Sequence, residues 1–168
     1  MNDPQTWRGR GLRRATSRTA LAEGLRLLDE LDADAPPGNI WWEVSDSALV
    51  LSRGSRVDAD TRRCADRGID VVRRGSGGGP VRWSSDLLAM DVFVPRNSPL
   101  WDADIVASYR WLGSALADAL GGEVLSAQHA RRDNDRDLAA LACFAGRSPG
   151  EVVVADRRMP AATIAALS

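Results

Sequence analysis

The chain contains no lysine, and all 22 of its basic side chains are arginine, against 23 aspartates and glutamates. The formal net charge of -1 argues against a nucleic-acid partner, because binding a phosphate backbone demands a strongly basic surface. Arginine keeps its positive charge at any working pH, so no side-chain amine is available for chemistry that needs a lysine.

Cysteine and histidine are nearly absent as well. Cys64, Cys143 and His129 are too few and too scattered for a disulfide framework or a zinc site, so we expect a reducing compartment and no structural metal. No apolar stretch approaches the roughly 20 residues of a membrane span, and no apolar region of the signal-peptide kind follows the N-terminus. We therefore predict a cytoplasmic protein with no membrane partner.

With 168 residues the chain can bury one substantial core. Residues 1–11 are polar and glycine-rich and predict a mobile arm. Helical spacing of apolar residues predicts helices over 19–31, 58–67 (with Asp58 as a possible cap) and 102–120. Strands outnumber helices and several are joined by tight turns, which favours an α+β fold with a mixed, mainly antiparallel sheet flanked by helices. The predicted strands are at about 40–44, 48–51, 69–73, 79–82, 88–94, 139–144 and 150–154.

The most informative stretch is Val71–Val81, in which an apolar strand leads into Arg73 and Arg74, then into a nearly side-chain-free loop. Glycine permits positive φ and exposes successive backbone N–H groups, so such a loop can form an anion-binding concavity with the two arginines at its mouth. The alternative is a flexible hairpin connection whose arginines are merely solvated.

Two familiar phosphate-binding loops are excluded. A P-loop needs a lysine after its last glycine, and this chain has none. The dinucleotide-binding fingerprint needs a third glycine where Pro80 stands, and a helix where a strand is predicted.

The ordered set of motifs around the loop resembles the lipoate-protein ligase family over roughly residues 12–158. The matching segments are Trp41–Asp70, the Arg-Arg-Gly-Ser-Gly-Gly-Gly loop at 73–79, Met90–Asp102 (similar to the actinobacterial-type branch), Ile105–Leu120 and Cys143–Val154. The resemblance implies the biotin/lipoate ligase catalytic fold, which is related to class II tRNA synthetases. It also implies a domain over 12–158 between the arm at 1–11 and a divergent tail at 159–168.

The resemblance implies ATP-dependent activation of lipoate or octanoate, with Mg²⁺, and transfer of the acyl group to a lysine of a lipoyl-domain or acyl-carrier acceptor protein. Lipoate, octanoate and biotin all remain open as the acid. Trp41, Val72 and Val81 would either line the acyl groove or pack in the core, and Cys143 would be a buried structural thiol. The residues matching the family's substrate and adenylate loop are Arg73, Arg74, Ser76, Gly77, Gly78 and Gly79.

This chain also departs from the family's pattern. Pro80 removes one backbone N–H from the loop. The segment Ala155–Met159 aligns with the family's Gly-Arg-Lys motif and puts Arg158 where the catalytic lysine belongs. A guanidinium can hold a phosphate but would misplace the acyl carbonyl, so we expect little turnover from a shortened or degenerate member. The alternatives are a non-catalytic acyl-binding or accessory module, or one half of a split ligase.

Overall fold

The computed structural model describes residues 7–55, 60–126, 150–154 and 157–158. Hydrogen bonding within these residues defines three helices and nine strands. In chain order they are β1 (Arg8–Ala15), α1 (Ser17–Asp29), β2 (Gly38–Val44), β3 (Ala48–Leu51), α2 (Thr61–Ala65), β4 (Asp70–Arg73), β5 (Val81–Trp83), β6 (Leu88–Phe93), α3 (Ile105–Leu120), β7 (Glu123–Val124), β8 (Val152–Val154) and β9 (Arg157–Arg158).

The described strands form three small sheets. Sheet A has the order β1-β2-β6, sheet B the order β4-β3-β5 and sheet C the order β7-β8-β9. The pairs β1–β2 and β3–β4 are parallel, whereas β2–β6, β3–β5, β7–β8 and β8–β9 are antiparallel. The predicted α+β fold with mixed, mainly antiparallel sheets is therefore confirmed.

Helix α1 begins two residues before the predicted start because Thr16 caps it, its hydroxyl accepting a hydrogen bond from the Thr19 amide. The amide and hydroxyl of Ser17 both donate to Asp46 Oδ1, at 2.7 and 2.8 Å. Asp46 lies in the turn between β2 and β3. This contact ties the start of α1 to that turn and so orients the helix across the sheets.

Sheet A is covered on both faces. Alternate residues of a strand point to opposite sides, and in β2 Ile40 and Trp42 pack with Leu27 of α1. On the other face Trp41 packs with Met90 of β6 and Leu112 of α3. Trp41 is thus a core residue, half-buried under α3.

Sheet B packs into the same core as α1. Val72 of β4 and Val81 of β5 are each 5% exposed and join the cluster that contains Ala20 and Trp42. Of the two predicted placements for Val72 and Val81, the structure shows core packing.

Helix α3 begins at Ile105, three residues later than predicted, and ends as predicted at Gly121, whose φ of 65° suits glycine. No helix in the described ranges is long and apolar enough to cross a membrane.

Several local predictions need correction. Residues 8–11, predicted as part of a mobile arm, form the first half of β1, because β2 supplies hydrogen-bond partners that the polar segment could not reveal. Helix α2 is capped by Asp60, whose carboxylate accepts from the Arg63 amide, and not by Asp58. Residues 56–59, and the strand predicted over 139–144, lie outside the described residues.

A carboxyl group sits between α1 and sheet A. Asp91 of β6 accepts a 2.7 Å hydrogen bond from Trp42 Nε1, and a Cβ placed on Gly24 of α1 would lie 2.7 Å from Asp91 Oδ2. Burial raises the pKa of Asp91 to about 6, and the Trp42 hydrogen bond opposes that rise. Glycine at position 24 is what lets the helix approach the carboxyl group.

The Asp91→Asn variant should be more stable than the native protein at neutral pH. Because the folded pKa of Asp91 lies above its unfolded value, the native protein loses stability as the pH rises from about 4 to about 6, by on the order of 2 kcal/mol. The asparagine oxygen can still accept from Trp42 without a charge. Urea unfolding at pH 4 and pH 7.5 should show the variant's gain only at the higher pH.

Asp118→Asn, which neutralises an exposed carboxylate on α3, serves as the control. An Asp91→Asn protein with the same pH dependence of stability as the native chain would contradict the assignment.

Candidate functional site

The glycine loop, residues 74–80, crosses the end of sheet B. It leaves β4 and returns in β5, and both strands flank β3. The Arg74 amide donates to Leu51 O at 2.8 Å, and the Arg53 amide donates to Ser76 O at 3.3 Å. The loop therefore lies over the carboxyl end of β3, held at both sides by backbone hydrogen bonds.

The Arg74 side chain braces this loop from beneath. Arg74 is only 6% exposed. Its Nη2 donates to Gly77 O at 2.7 Å and to Gly79 O at 2.8 Å, its Nε donates to Gly77 O at 3.2 Å, and its Nη1 donates to Val50 O at 3.4 Å. One guanidinium thus collects carbonyl groups from the loop and from β3, an arrangement that suits its fixed fork of donors.

The hydrogen bonds from Arg74 determine the direction in which the loop amides point. In a trans peptide the C=O of one residue and the N–H of the next point in opposite directions. Because Gly77 O is turned toward Arg74, the Gly78 N–H is directed away from the guanidinium. The Gly79–Pro80 peptide turns its oxygen the same way but has no N–H to present. The loop thus offers an outward amide donor above a buried positive charge.

The loop surface is open at its middle and packed at its base. Gly77 and Gly78 are exposed, and a Cβ built on Gly77 would meet no atom within 4 Å. Gly78 has a φ of 95°, which an L side chain rarely adopts. At Gly75, in contrast, a Cβ would lie 3.0 Å from Leu25 Cδ2 of α1. A ligand can therefore approach the backbone at residues 77 and 78.

The predicted arginine pair is split between two environments. Successive residues at a strand end point to opposite sides. Arg73 is exposed, with its Nη1 3.3 Å from Ser52 O, to which it donates, whereas Arg74 is buried. Of this pair, only Arg73 is an accessible cation; Arg74 acts through its hydrogen bonds to the loop.

No protein-family model matches this sequence. A curated relative, octanoyltransferase LipM of Clostridioides difficile (strain 630), is 23% identical over 120 residues, which are 70% of this chain and 44% of LipM.

Solved structures share the fold. The putative lipoate protein ligase Ta0514 of T. acidophilum, solved with bound lipoic acid, matches with a TM-score of 0.56 and 21% identity over 67% of this chain and 48% of its own. A bi-partite lipoate protein ligase from Thermoplasma acidophilum, described with its E2 lipoyl domain, matches with a TM-score of 0.59 and 19% identity over 73% and 49%. Lipoate-protein ligase A bound with ATP matches with a TM-score of 0.56 and 20% identity over 67% and 46%.

In sequence the chain resembles an octanoyltransferase, and in fold it resembles the lipoate-protein ligases. It spans about half the length of the relatives it matches. Its α+β sheets and few helices have the fold of those ligases.

The other residues singled out from the sequence are less fully described in the structure. Arg158 lies in β9, in register with Val153 of β8, and only its backbone is described. His129 and Cys143 lie outside the described residues. Cys64 is a free, half-buried thiol on α2.

The described part of the chain brings together no group of three His, Cys, Asp or Glu side chains suited to a metal ion. The described residues of the glycine loop supply arginines, a serine and backbone groups, which are not the carboxylate ligands that Mg²⁺ prefers. These residues by themselves do not form a magnesium site, and we assign no step to that ion.

The bracing role of Arg74 was missed from the sequence, although a signal for it was present. Two adjacent residues at the end of a strand must face opposite sides, so Arg73 and Arg74 could not both stand at the mouth of the loop. Which of them is buried depends on the carbonyls of Val50, Gly77 and Gly79, and these meet only in the folded sheet.

Replacing Arg74 by lysine should loosen the loop. The three N–H donors of a lysine ammonium diverge from one nitrogen and cannot reproduce the planar fork by which the guanidinium reaches carbonyl groups of both the loop and β3, so we expect a loss of about 2 kcal/mol in unfolding free energy. Lower ¹⁵N order parameters at the amides of Gly77–Gly79 should accompany it. Arg73→Lys, which changes the exposed neighbour, should leave both quantities nearly unchanged. Native-like order parameters at Gly77–Gly79 in a folded Arg74→Lys protein would refute the brace.

Proposed function

We propose that this chain binds a lipoyl or octanoyl group activated as its adenylate at the glycine loop, for transfer to a lysine of an acceptor protein. The observation that carries the proposal is the loop braced by Arg74, with its open surface at Gly77 and its outward Gly78 amide. The relatives support the acyl group and the nucleotide, since one was solved with lipoic acid and another with ATP. The octanoyltransferase relative supports octanoyl as an acyl group.

The charge distribution at the loop suits an anion. An acyl-adenylate is a mixed anhydride of the carboxylic acid and AMP, and it carries one negative charge on its phosphate. The Gly78 amide, the exposed Arg73 guanidinium and the buried Arg74 charge all favour negative charge above the loop. Ser76 is partly exposed in the same segment, so its hydroxyl is a further candidate donor. Gly77 and Gly79 contribute by having no side chain that would block a ligand, and Gly79 O also accepts a hydrogen bond from the Arg74 guanidinium.

Arg158 is our candidate for the group at the family's lysine position. A lysine ammonium is compact and can contact the acyl carbonyl and the phosphate from one point, whereas a planar guanidinium is larger and has a fixed donor geometry. We therefore propose slow turnover for this chain by itself.

A second candidate is one half of a split ligase. The bi-partite ligase of Thermoplasma acidophilum favours it, because that protein shares this fold and works from two parts. In that case a separate polypeptide supplies the lysine. The same relative, described with its E2 lipoyl domain, supports a lipoyl-domain or acyl-carrier acceptor as partner. A non-catalytic acyl-binding module remains the alternative if binding occurs with no transfer by either form.

Gly77→Val tests the binding site. A Cβ at Gly77 meets no protein atom within 4 Å, so a valine there should occupy the space above the loop without preventing folding, and ligand binding should fall at least tenfold. Calorimetry with a non-hydrolysable octanoyl-adenylate analogue measures it. Gly77 is a sharper choice than Gly78, where the positive φ would strain any valine.

The matched control is Gly54→Val, which places the same side chain at an exposed turn glycine that also meets nothing within 4 Å. Undiminished affinity in the folded Gly77→Val protein would move the site elsewhere.

Arg158→Lys tests the catalytic assignment. If the guanidinium limits turnover, the lysine variant should form more octanoyl-AMP from ATP and octanoate than the native chain, by at least tenfold. Mass spectrometry of the adenylate, and of a purified lipoyl domain added as acceptor, provides the two readouts. Rapid acyl transfer by the native chain would overturn the proposed slow turnover; inactivity of both proteins would favour the split-ligase or binding-module alternatives.

A further inference from the structure

Among the described strands of three or more residues, β1 is the most exposed. Seven of its eight residues are exposed, and it pairs with β2 on one side only, which leaves it at the edge of sheet A among the described strands. Leu12 is 61% exposed, and Trp7, just before the strand, is 40% exposed. An exposed apolar side chain as large as that of Leu12, at an open strand edge, is available for contact with another chain.

The strand is strongly basic. Four of its eight residues are arginine and none is acidic. Arg13 and Arg14 have carboxylates 3.6 and 3.9 Å away, at Glu23 and Glu43, in surface pairs that are worth little energy. Among the described residues no salt bridge involves Arg8 or Arg10. The first half of β1 therefore concentrates positive charge in a chain whose net charge is -1.

A shallow cavity adjoins these two arginines. Arg8 and Arg10 line it together with the apolar side chains of Leu27, Leu31 and Phe93. Its volume of about 30 Å³ is too small for a nucleotide or an acyl chain, and corresponds to roughly two water-sized spheres. Such a cavity suits the end of one protein side chain, and the arginines beside it suit a carboxylate.

From these three features we propose that β1 is a docking surface for an acidic β-strand of a partner protein, which pairs with its open edge and places a carboxylate side chain at Arg8 and Arg10. Main-chain pairing along an edge supplies affinity, and the alternate side chains supply specificity. Strand β1 carries a bulge between Gly9 and Leu12, where Gly11 has a φ of 73°, so a partner strand would pair with its regular half, Leu12–Ala15, which is about 13 Å long, and would reach Arg8 and Arg10 beyond the bulge. This inference is independent of the function proposed for the glycine loop.

A polypeptide fits the surface better than a nucleic acid. The alternating N–H and C=O groups of a strand edge are complementary to another strand, and a nucleic-acid backbone has no matching series of donors. Because Glu23 and Glu43 pair with Arg13 and Arg14, the unpaired positive charge of β1 is, among the described residues, confined to Arg8 and Arg10, which suits a single carboxylate better than a continuous line of phosphates. Exposed Leu12 adds an apolar contact that phosphate binding does not use.

The arginines of β1 could instead protect the protein from aggregation, because charged side chains on an edge strand discourage its pairing with other copies of the chain. Protection alone does not require the exposed Leu12 or the cavity at Arg8 and Arg10. The two explanations differ in their consequences: a protective edge binds no strand, whereas a docking edge binds an acidic one.

The test uses the full chain, labelled with ¹⁵N, and a capped eight-residue synthetic peptide that alternates glutamate and valine. We expect the peptide to shift the amide resonances of β1 and to slow hydrogen exchange at those β1 amides that do not bond to β2. The double variant Arg8→Glu/Arg10→Glu should bind the peptide at least tenfold more weakly. The control, Arg62→Glu/Arg110→Glu, makes the same change in net charge at exposed positions on α2 and α3 and should bind as the native chain does.

Two further ligands complete the design. A peptide alternating lysine and valine should leave β1 unaffected, and decathymidine should bind there more weakly than the glutamate peptide. The proposal is overturned if millimolar glutamate peptide leaves the β1 resonances unchanged, if the lysine peptide binds equally, if both double variants lose affinity equally, or if decathymidine binds β1 more tightly. Self-association of the Arg8→Glu/Arg10→Glu protein together with no peptide binding by the native chain would establish the protective explanation instead.

Discussion

The geometry of the candidate site depends on one buried guanidinium. A loop with four glycines in five residues has little conformational preference of its own and would lose much entropy on ordering. Arg74 supplies the missing restraint by donating to carbonyl groups of Gly77 and Gly79 while also reaching Val50 of β3. It does so from below, so the surface above stays free of side chains. An exposed backbone and a fixed backbone conformation are thereby combined in one short segment.

Helix α1 connects this loop to the rest of the core. Leu25 lies against the loop at Gly75, and the next residue toward the N-terminus, Gly24, lies against the carboxyl group of Asp91 in sheet A. Neighbouring positions of one helix thus contact both sheets. A partly buried carboxyl with a raised pKa is costly at neutral pH, and the Trp42 indole offsets only part of that cost. The helix position is therefore constrained by two close approaches.

The similarity to lipoate-protein ligases lies mainly in the fold, that is, in the arrangement of the sheets and helices. The matching structures share the fold at 19 to 21% identity, and the chain spans about half of each. The glycine loop lies on sheet B, whereas Arg158 belongs to sheet C, packed through β7 and β8 against α3. The acyl and nucleotide chemistry that we propose therefore draws on more than one sheet.

Periodicity and composition by themselves determine a good part of this protein. Features that depend on local sequence could be predicted, because the pattern of side chains along one element reflects which face is buried. These features are the alternation in residues 40–44, the leucines of α1, the end of α3 at Gly121 and the glycine loop. Strand β1 carried no such signal, since its side chains are exposed on both faces and its existence depends on hydrogen bonds to β2, some 30 residues away. The sequence marked Arg73 and Arg74 as candidate site residues, but it did not indicate that one would be exposed and the other buried. Only the tertiary structure decided it, because the carbonyl groups that bury one guanidinium come from β3 and from the far side of the loop, and they converge on Arg74 only when sheet B has formed.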